Sequence, residues 1–217
     1  MPPKDILVAF FSKHWLERLK PGLDLKPRGA NLSASFAKIE TILLHASPSS
    51  SMNEFVHQRH KPPSELDRAR ELVLAVPQLR SNVNLARILR TAGCCGINRV
   101  ITSSNQRIDA KVARDSLEHI KVERRRSLAP VLRELSSEGY SIVGLEQSSG
   151  SRNLHEFEFD RRSVLVIGHE RDGIREELLG NLDQVVEIPV YGMPYSYNVA
   201  TATSMALYEY CRQFPRG

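Results

Sequence analysis

Residues Val185 to Leu207 read VVEIPVYGMPYSYNVATATSMAL, which is an apolar run, a turn and then a run of small residues. The turn falls at Gly192–Tyr195, because glycine is permissive there and proline cannot donate a backbone hydrogen bond. Ser196 or Asn198 is predicted to cap the helix that follows, close to the unpaired N–H groups of its first turn. The segment predicts a strand, a turn and a helix, either as an ordinary junction or as a ligand site built from main chain.

Strand-like and helix-like segments alternate along the chain after residue 70. The predicted strands are Leu72–Val76, Arg99–Thr102, Ser141–Leu145, Val164–Ile167 and Val185–Val190. The predicted helices are Asn82–Ala92, Ser127–Glu138 and Val199–Arg212. This alternation predicts an α/β fold with a parallel sheet covered by helices.

The chain is expected to divide near residue 70. Residues 47–64 form a polar, proline-bearing stretch without a sustained period. Residues 1–70 are therefore predicted to be a basic N-terminal extension or linker, or the remnant of a preceding region, and residues 71–217 to be one domain. The extension holds eleven Lys and Arg against seven Asp and Glu, and the domain holds nineteen against eighteen. A basic extension suits either RNA binding or a solvated arm.

Composition excludes several protein classes. The chain is 41% hydrophobic and 25% charged, as in ordinary globular proteins. No apolar stretch is long enough to span a bilayer, and Asp5–Phe11 is too short for a signal peptide, which predicts a soluble intracellular protein of cytoplasm or nucleus with no membrane partner. Cys94, Cys95 and Cys211 lack the number for a disulfide framework and the spacing of a zinc site, so they are expected to be buried, reduced thiols.

The predicted helix after the first strand has a clear apolar stripe, formed by Leu85, Ile88, Leu89 and Ala92. Arg87 and Arg90 lie off this stripe, and Asn84 lies near the helix start, where its side chain can cap the helix or bond to a loop. Arginines in such positions are commonly solvated surface. Ligands of open α/β sheets bind beyond the carboxyl ends of the strands, however, and this helix begins there.

The strand Ser163–Ile167 runs directly into Gly168-His-Glu-Arg-Asp-Gly-Ile174. This places backbone amides and a carboxylate at the same edge of the sheet, but the segment is neither a dinucleotide fingerprint nor a phosphate-binding loop. Glu170 is a better functional candidate than His169, since a lone histidine in such a turn is more often structural. A further basic cluster, Lys121 and Arg124 to Arg126, is interpreted as a solvated helix face or as a set of phosphate contacts.

Three motifs in this order resemble those of the TrmH-like branch of the SPOUT superfamily, the RNA ribose 2′-O-methyltransferases. They are NLARILRTA at 84–92, IGHERDGI at 167–174 and IPVYGMPYSYNVA at 188–200, and the resemblance covers residues 70–215. It implies a SPOUT-type parallel sheet with a C-terminal deep trefoil knot, an exception to the rule that connections do not thread loops. It also implies S-adenosyl-L-methionine as cofactor, S-adenosyl-L-homocysteine as product, a homodimer and no metal.

The resemblance assigns roles to individual residues. The catalytic set is Arg90, Asn84, Glu170, Ser196 and Asn198. The cofactor-binding set is Leu145, Glu146, Ile167, Gly168, His169, Ile188, Gly192 and Tyr197. The candidate RNA contacts are Arg87, Lys121, Arg124, Arg125 and Arg126. Tyr197 and Ala200 replace a smaller aliphatic residue and a serine of the family pattern, which predicts a change in the shape of the cofactor pocket.

The implied reaction is methylation of a ribose 2′-hydroxyl in RNA, with a guanosine of the tRNA D-loop as the first choice. The alternatives are methylation of ribosomal RNA and an RNA-binding module that keeps the fold without catalysis. An oxidoreductase with a Rossmann-like sheet is disfavoured because the glycine fingerprint is missing. The resemblance describes Arg90 as a general base, but a guanidinium is effectively always protonated, so electrostatic stabilisation is the other open role.

Overall fold

The computed structural model describes residues 55–59 and 61–217, and residues 62–217 form one compact unit. Most of the predicted N-terminal extension lies outside the described residues, so the division near residue 70 stays a prediction. Within the described part of the chain, no helix combines the length and the apolar character needed to cross a membrane.

The unit alternates strands and helices along the chain. The strands are β1 Leu72–Val76, β2 Arg99–Thr102, β3 Lys121–Arg124, β4 Ser141–Leu145, β5 Arg152–Asn153, β6 Ser163–Ile167 and β7 Gln184–Glu187. The helices are α1 Asn82–Cys94, α2 Ala110–Ala113, α3 Ser116–His119, α4 Ala129–Ser137, α5 Glu176–Leu179 and α6 Val199–Gln213.

All seven strands pair in parallel in the order β3-β2-β1-β6-β4-β7-β5, which confirms the predicted α/β class. Strand β6 follows β4 in the chain but lies between β1 and β4. The carboxyl ends of β1, β6 and β4 therefore lie side by side at one edge of the sheet.

Helices cover both faces of the sheet. Leu72, Leu74 and Val76 of β1 pack in a core with α1 and α6, whereas Val73 and Ala75 pack in a second core with α4 and α5. Successive side chains of a strand point to opposite faces, so a strand covered on both sides is apolar throughout. All five residues of β1 and all five of β6 are buried.

Two sequence predictions of local structure were wrong. The basic cluster is not a helix face, because Lys121–Arg124 forms β3 at the edge of the sheet and Arg125 and Arg126 follow it. An edge strand tolerates charged side chains, so the apolar run that marks a central strand was missing. The strand predicted to reach Val190 ends at Glu187, just before Ile188 and Pro189.

The cysteines also differ from their predicted environment. Cys94 is exposed, and Cys95 and Cys211 are only half-buried, although all three are free thiols. The Sγ of Cys211 donates to the carbonyl oxygen of Cys95 at 3.7 Å and so joins the end of α1 to α6.

Candidate active site

The Glu170 carboxylate joins the loop after β6 to the start of α1. Its Oε2 accepts a hydrogen bond from the backbone N–H of Arg80 at 2.8 Å. Its Oε1 accepts from the backbone N–H of Ser81 and from Nδ2 of Asn84, both at 3.1 Å. One carboxylate thus satisfies two backbone donors and one amide that lie about ninety residues away in the chain.

These hydrogen bonds determine the charge of Glu170. Burial by itself would raise its pKa, but the backbone N–H groups of Arg80 and Ser81 and the Asn84 amide together outweigh burial and lower the pKa. The carboxylate is therefore ionised at neutral pH. It serves as a hydrogen-bond acceptor that fixes two loops, and it has no proton to donate.

Asn84 and Asn198 extend this network to the third motif. Nδ2 of Asn198 donates to Oδ1 of Asn84 at 3.4 Å, and Oδ1 of Asn198 accepts from the N–H of Ala200 at 2.9 Å. The second contact confirms that Asn198 caps α6. At the start of α1 the capping side chain is Ser81, which leaves the Asn84 amide free to bond to Glu170. A continuous chain of hydrogen bonds, Glu170 to Asn84 to Asn198, joins all three motifs.

The arginines of α1 point away from the core, as predicted. The four residues of the apolar stripe are fully buried, whereas Arg87 and Arg90 are exposed. Within the described residues, neither guanidinium forms a side-chain hydrogen bond or an ion pair. Arg90 lies six residues, or about 9 Å along the helix axis, from Asn84. The chain therefore places a solvated cation about one and two-thirds turns beyond Asn84 of the network.

A cavity of about 220 Å³ lies beyond the carboxyl ends of β4, β6 and β7. We call it the first cavity. Glu170 and Ser196 of the predicted catalytic set line it. Seven of the eight residues predicted to bind the cofactor line it as well: Leu145, Glu146, Ile167, Gly168, His169, Ile188 and Tyr197. Gly192 does not line the cavity, and neither do Asn84, Arg90 and Asn198.

Six further residues line the first cavity and were missed by sequence reasoning: Gln147, Arg171, Gly173, Glu187, Val199 and Ala202. Five of them flank predicted residues or share a motif with them, so contiguity along the three loops was the available signal. Ala202 was less accessible to prediction, because it reaches the cavity from the first turn of α6, four residues after Asn198.

The wall formed by Gly168–Gly173 requires both of its glycines. The backbone groups of His169 and Gly173 exchange two hydrogen bonds, of 2.9 and 3.1 Å, which close the loop. Gly173 has φ of +63°, a conformation that favours glycine, and a Cβ there would collide with the Glu146 carboxylate. A Cβ on Gly168 would lie 2.8 Å from the carbonyl carbon of Gly173. Backbone therefore forms this side of the cavity.

The predicted RNA contacts of the basic cluster differ in whether their side chains have partners within the protein. Glu123 is buried and forms ion pairs with Lys121 at 3.2 Å and with Arg125 at 2.9 Å. Arg124 donates to the carbonyl oxygens of Ser104 and Gln106. Arg126 is exposed and has no side-chain partner within the described residues. Among all the residues that the structure describes, no group of three or more His, Cys, Asp or Glu side chains could hold a metal ion.

The family model of the SpoU rRNA methylases matches residues 71–208. The chain belongs to this family. The family match begins at the residue before β1 and extends into α6, so it includes all seven strands and the three motif loops.

Relatives of this SpoU family chain are similar over the same region. The tRNA (guanosine(18)-2′-O)-methyltransferase of Escherichia coli K12 is 30% identical over 149 residues, which are 67% of this chain and 65% of that protein. The chain thus spans slightly less than two thirds of the length of this curated relative. The crystal structure of the Aquifex aeolicus TrmH/SpoU tRNA modifying enzyme has a TM-score of 0.65 and 27% identity, covering 69% of this chain and 78% of that one. An AdoMet-bound rRNA methyltransferase from Sinorhizobium meliloti has a TM-score of 0.60 and 26% identity, covering 71% and 61%.

Proposed function

We propose that this SpoU family protein transfers a methyl group from S-adenosylmethionine to a ribose 2′-hydroxyl of RNA. We further propose that the target is a guanosine in the D-loop of tRNA. The observation that carries the proposal is the chain of hydrogen bonds from ionised Glu170 through Asn84 to Asn198. It holds all three motifs together beside a cavity that has main chain as one of its walls.

S-adenosylmethionine is the methyl donor, and its sulfonium supplies an already electrophilic methyl group. The first cavity fits such a ligand in its chemistry. One wall is formed by the main chain of Gly168 and Gly173, so a flat ring could approach the backbone closely. The carboxylates of Glu146 and Glu187 give it negative charge opposite a cationic ligand. The residues of the chain bind and orient the donor.

Arg90 is the proposed catalytic group for the ribose hydroxyl. A guanidinium is effectively always protonated, so the favoured role is to hold the adjacent phosphate and to stabilise the alkoxide that develops as the hydroxyl loses its proton to solvent water. Glu170, Asn84 and Asn198 are positioning residues in this scheme, because they fix the loops around the cavity. Ser196 lines the cavity and is proposed to bond to the RNA.

Mass-spectrometric mapping of transcripts tests the proposal. Incubation of an unmodified tRNA transcript with the protein and isotopically labelled S-adenosylmethionine should give one labelled 2′-O-methylguanosine in the D-loop. A ribosomal RNA transcript in a parallel reaction should remain unlabelled. Label only in ribosomal RNA would redirect the substrate assignment. Binding of RNA and cofactor without any label would identify a non-catalytic RNA-binding module.

The proposal includes the knot, the homodimer and the compartment. The position of β6 between β1 and β4, and the return of the last motif loop to the end of β6, support a C-terminal trefoil knot. Ala200 and Ala206 of α6 are buried in the core of the same chain. Met205 and Tyr208 are exposed instead, and we assign this face to a second copy of the chain. RNA substrates place the protein in cytoplasm or nucleus.

The change Tyr208→Asp should convert the dimer to a monomer. Tyr208 is 73% exposed, so a charge at this position costs little in the isolated chain but must be buried in the proposed contact. Light scattering after size exclusion measures the mass directly. Leu179→Asp is the matched control, because Leu179 is a large exposed apolar side chain on the opposite face of the sheet. An unchanged mass for Tyr208→Asp, or monomeric wild-type protein, would contradict the assignment.

The change Gly168→Ala should weaken S-adenosylmethionine binding at least tenfold. The added Cβ must push the Gly173 backbone, and with it the wall of the first cavity, because its two nearest neighbours are main-chain atoms of Gly173. Isothermal titration calorimetry with the cofactor measures the loss. Gly150→Ala should bind normally, since a Cβ at Gly150 meets nothing within 4 Å. Gly192→Ala should also bind normally, and a large loss there would restore Gly192 to the cofactor site.

A further inference from the structure

Strand β6 has a crevice on each side. The chain leaves β1 for α1, which packs on one face of the sheet, and leaves β6 for α5, which packs on the other face. The chain leaves β4 toward the α1 face, where Leu154 and Phe157 are buried. Where neighbouring parallel strands send their connections to opposite faces, a crevice opens beyond their carboxyl ends, and ligands of α/β proteins bind there. The first cavity occupies the crevice between β6 and β4.

The other crevice, between β6 and β1, holds a second cavity of about 300 Å³. It reaches across the carboxyl ends of β1, β2 and β3 and is closed on its far side by the start of α5. Its polar lining includes Gln78, Ser103, Arg126, Ser127, Arg175 and Glu177. No residue of the proposed catalytic set lines it.

Two guanidinium groups make the second cavity positively charged. Arg126 follows β3, and Arg175 precedes α5, so the two approach the cavity from opposite ends. Within the described residues, neither side chain forms a hydrogen bond or an ion pair, in contrast to Lys121, Arg124 and Arg125 of the same basic cluster. Glu177 is the only carboxylate among the residues that line the cavity, so the lining carries a net positive charge.

Unpaired arginines beside hydroxyl groups match the chemistry of a nucleotide phosphate. A guanidinium offers a planar set of donors that fits phosphate oxygens, and Ser103 and Ser127 add two hydroxyl donors in the same cavity. Gln78 supplies an amide that can both donate to and accept from the edge of a base. The volume exceeds what a phosphate alone needs.

We propose that the second cavity binds one nucleotide of the RNA substrate, a neighbour of the methylated one, with its phosphate between Arg126 and Arg175. This inference rests on the proposed function. The two cavities share Ile167, His169 and Gly173, so the same loop separates the methyl donor from the neighbouring nucleotide. Occupation of the second cavity would set which ribose along the strand reaches the first.

The salt dependence of RNA binding tests this assignment. Fluorescence anisotropy should be measured with a labelled tRNA transcript and S-adenosylhomocysteine, so that no chemistry occurs. Log K falls as log salt rises, and each phosphate contact that is lost makes this slope less steep by about one. The variants Arg126→Ala and Arg175→Ala should each weaken binding several-fold at low salt, and the double variant should make the slope less steep by about one. Calorimetry should give unchanged S-adenosylmethionine affinity in all three.

Arg133→Ala is the matched control, because Arg133 is an exposed arginine of α4 whose guanidinium bonds to Asn181 outside the cavity. An affinity and slope of the double variant equal to those of this control would overturn the assignment. Titration of the protein with free guanosine monophosphate is a second test. Its binding with an affinity equal to that of RNA would identify a mononucleotide site and overturn the RNA assignment. Salt-sensitive RNA binding through the two arginines, without methyl transfer, would support the cavity while contradicting the proposed function.

Discussion

Arg90→Ala should lower kcat for RNA methylation by about a hundred- to a thousandfold, the range found when one preorganised donor to a developing oxyanion is removed. Arg90 is exposed and has no partner among the described residues, so its loss should leave the fold and the affinity for S-adenosylmethionine unchanged. Single-turnover kinetics with saturating cofactor and RNA measures the chemical step. Calorimetry with the cofactor verifies that the first cavity is intact.

Two further variants define the role of Arg90. Arg90→Lys keeps a positive charge with fewer donors, so electrostatic stabilisation predicts partial activity and a pH–rate profile without a limb assigned to this residue. A general base predicts a limb that moves when arginine becomes lysine. Arg87→Ala is the control on the same exposed side of α1 and should raise the KM for RNA more than it lowers kcat. Full activity of Arg90→Ala would remove Arg90 from the mechanism.

Glu170→Ala should lower the free energy of unfolding by about 1–3 kcal/mol and weaken S-adenosylmethionine binding. The change removes the acceptor of three hydrogen bonds. The half-buried N–H of Ser81 and the Asn84 amide lose this partner, whereas the exposed N–H of Arg80 can bond to water; an unsatisfied buried group costs about 1–3 kcal/mol. Urea unfolding followed by circular dichroism measures the loss. Glu158→Ala, which removes an exposed carboxylate, should change stability by less than about 0.5 kcal/mol.

Glu170→Gln gives this prediction a pH signature. The pKa of Glu170 is lowered in the folded protein, so its stabilisation is present above the carboxyl pKa of the unfolded chain and is lost as the pH falls through the folded value. The stability difference between wild type and Glu170→Gln should therefore be largest near pH 7 and shrink below about pH 4, where an unfolded glutamate protonates. A difference that is independent of pH would show that Glu170 is not ionised in the network.

The sequence predicted helices and strands well where one face of a helix, or both faces of a strand, are buried. Leu72–Val76, Arg99–Thr102 and Ser141–Leu145 were predicted with their observed bounds, because continuous apolar runs between turns are typical of buried parallel strands. The strand order was not predictable in the same way. The position of β6 between β1 and β4 depends on pairing between residues up to 91 positions apart, such as Leu72 and Ser163, and no local pattern encodes it.

Prediction of the site had a similar limit. The motifs indicated Glu170, Asn84 and Asn198, and seven of the eight expected cofactor residues line one cavity. The hydrogen bonds that join the three motifs span 86 and 114 residues, so only the folded chain reveals that Glu170 acts through α1. Gly192 was assigned from its motif, but the loop carries it away from the cavity.

The loop Gly168–Gly173, which forms a wall of both cavities, makes their ligands thermodynamically dependent on each other. If a nucleotide in the second cavity shifts His169 or Gly173, the affinity of the first cavity for the methyl donor changes by some factor. Linkage requires the methyl donor to change the affinity for RNA by that same factor. Because Glu146 bonds to Ile174 and Glu170 bonds to the start of α1, the loop is fixed from both sides, and even a small displacement would be transmitted rather than absorbed.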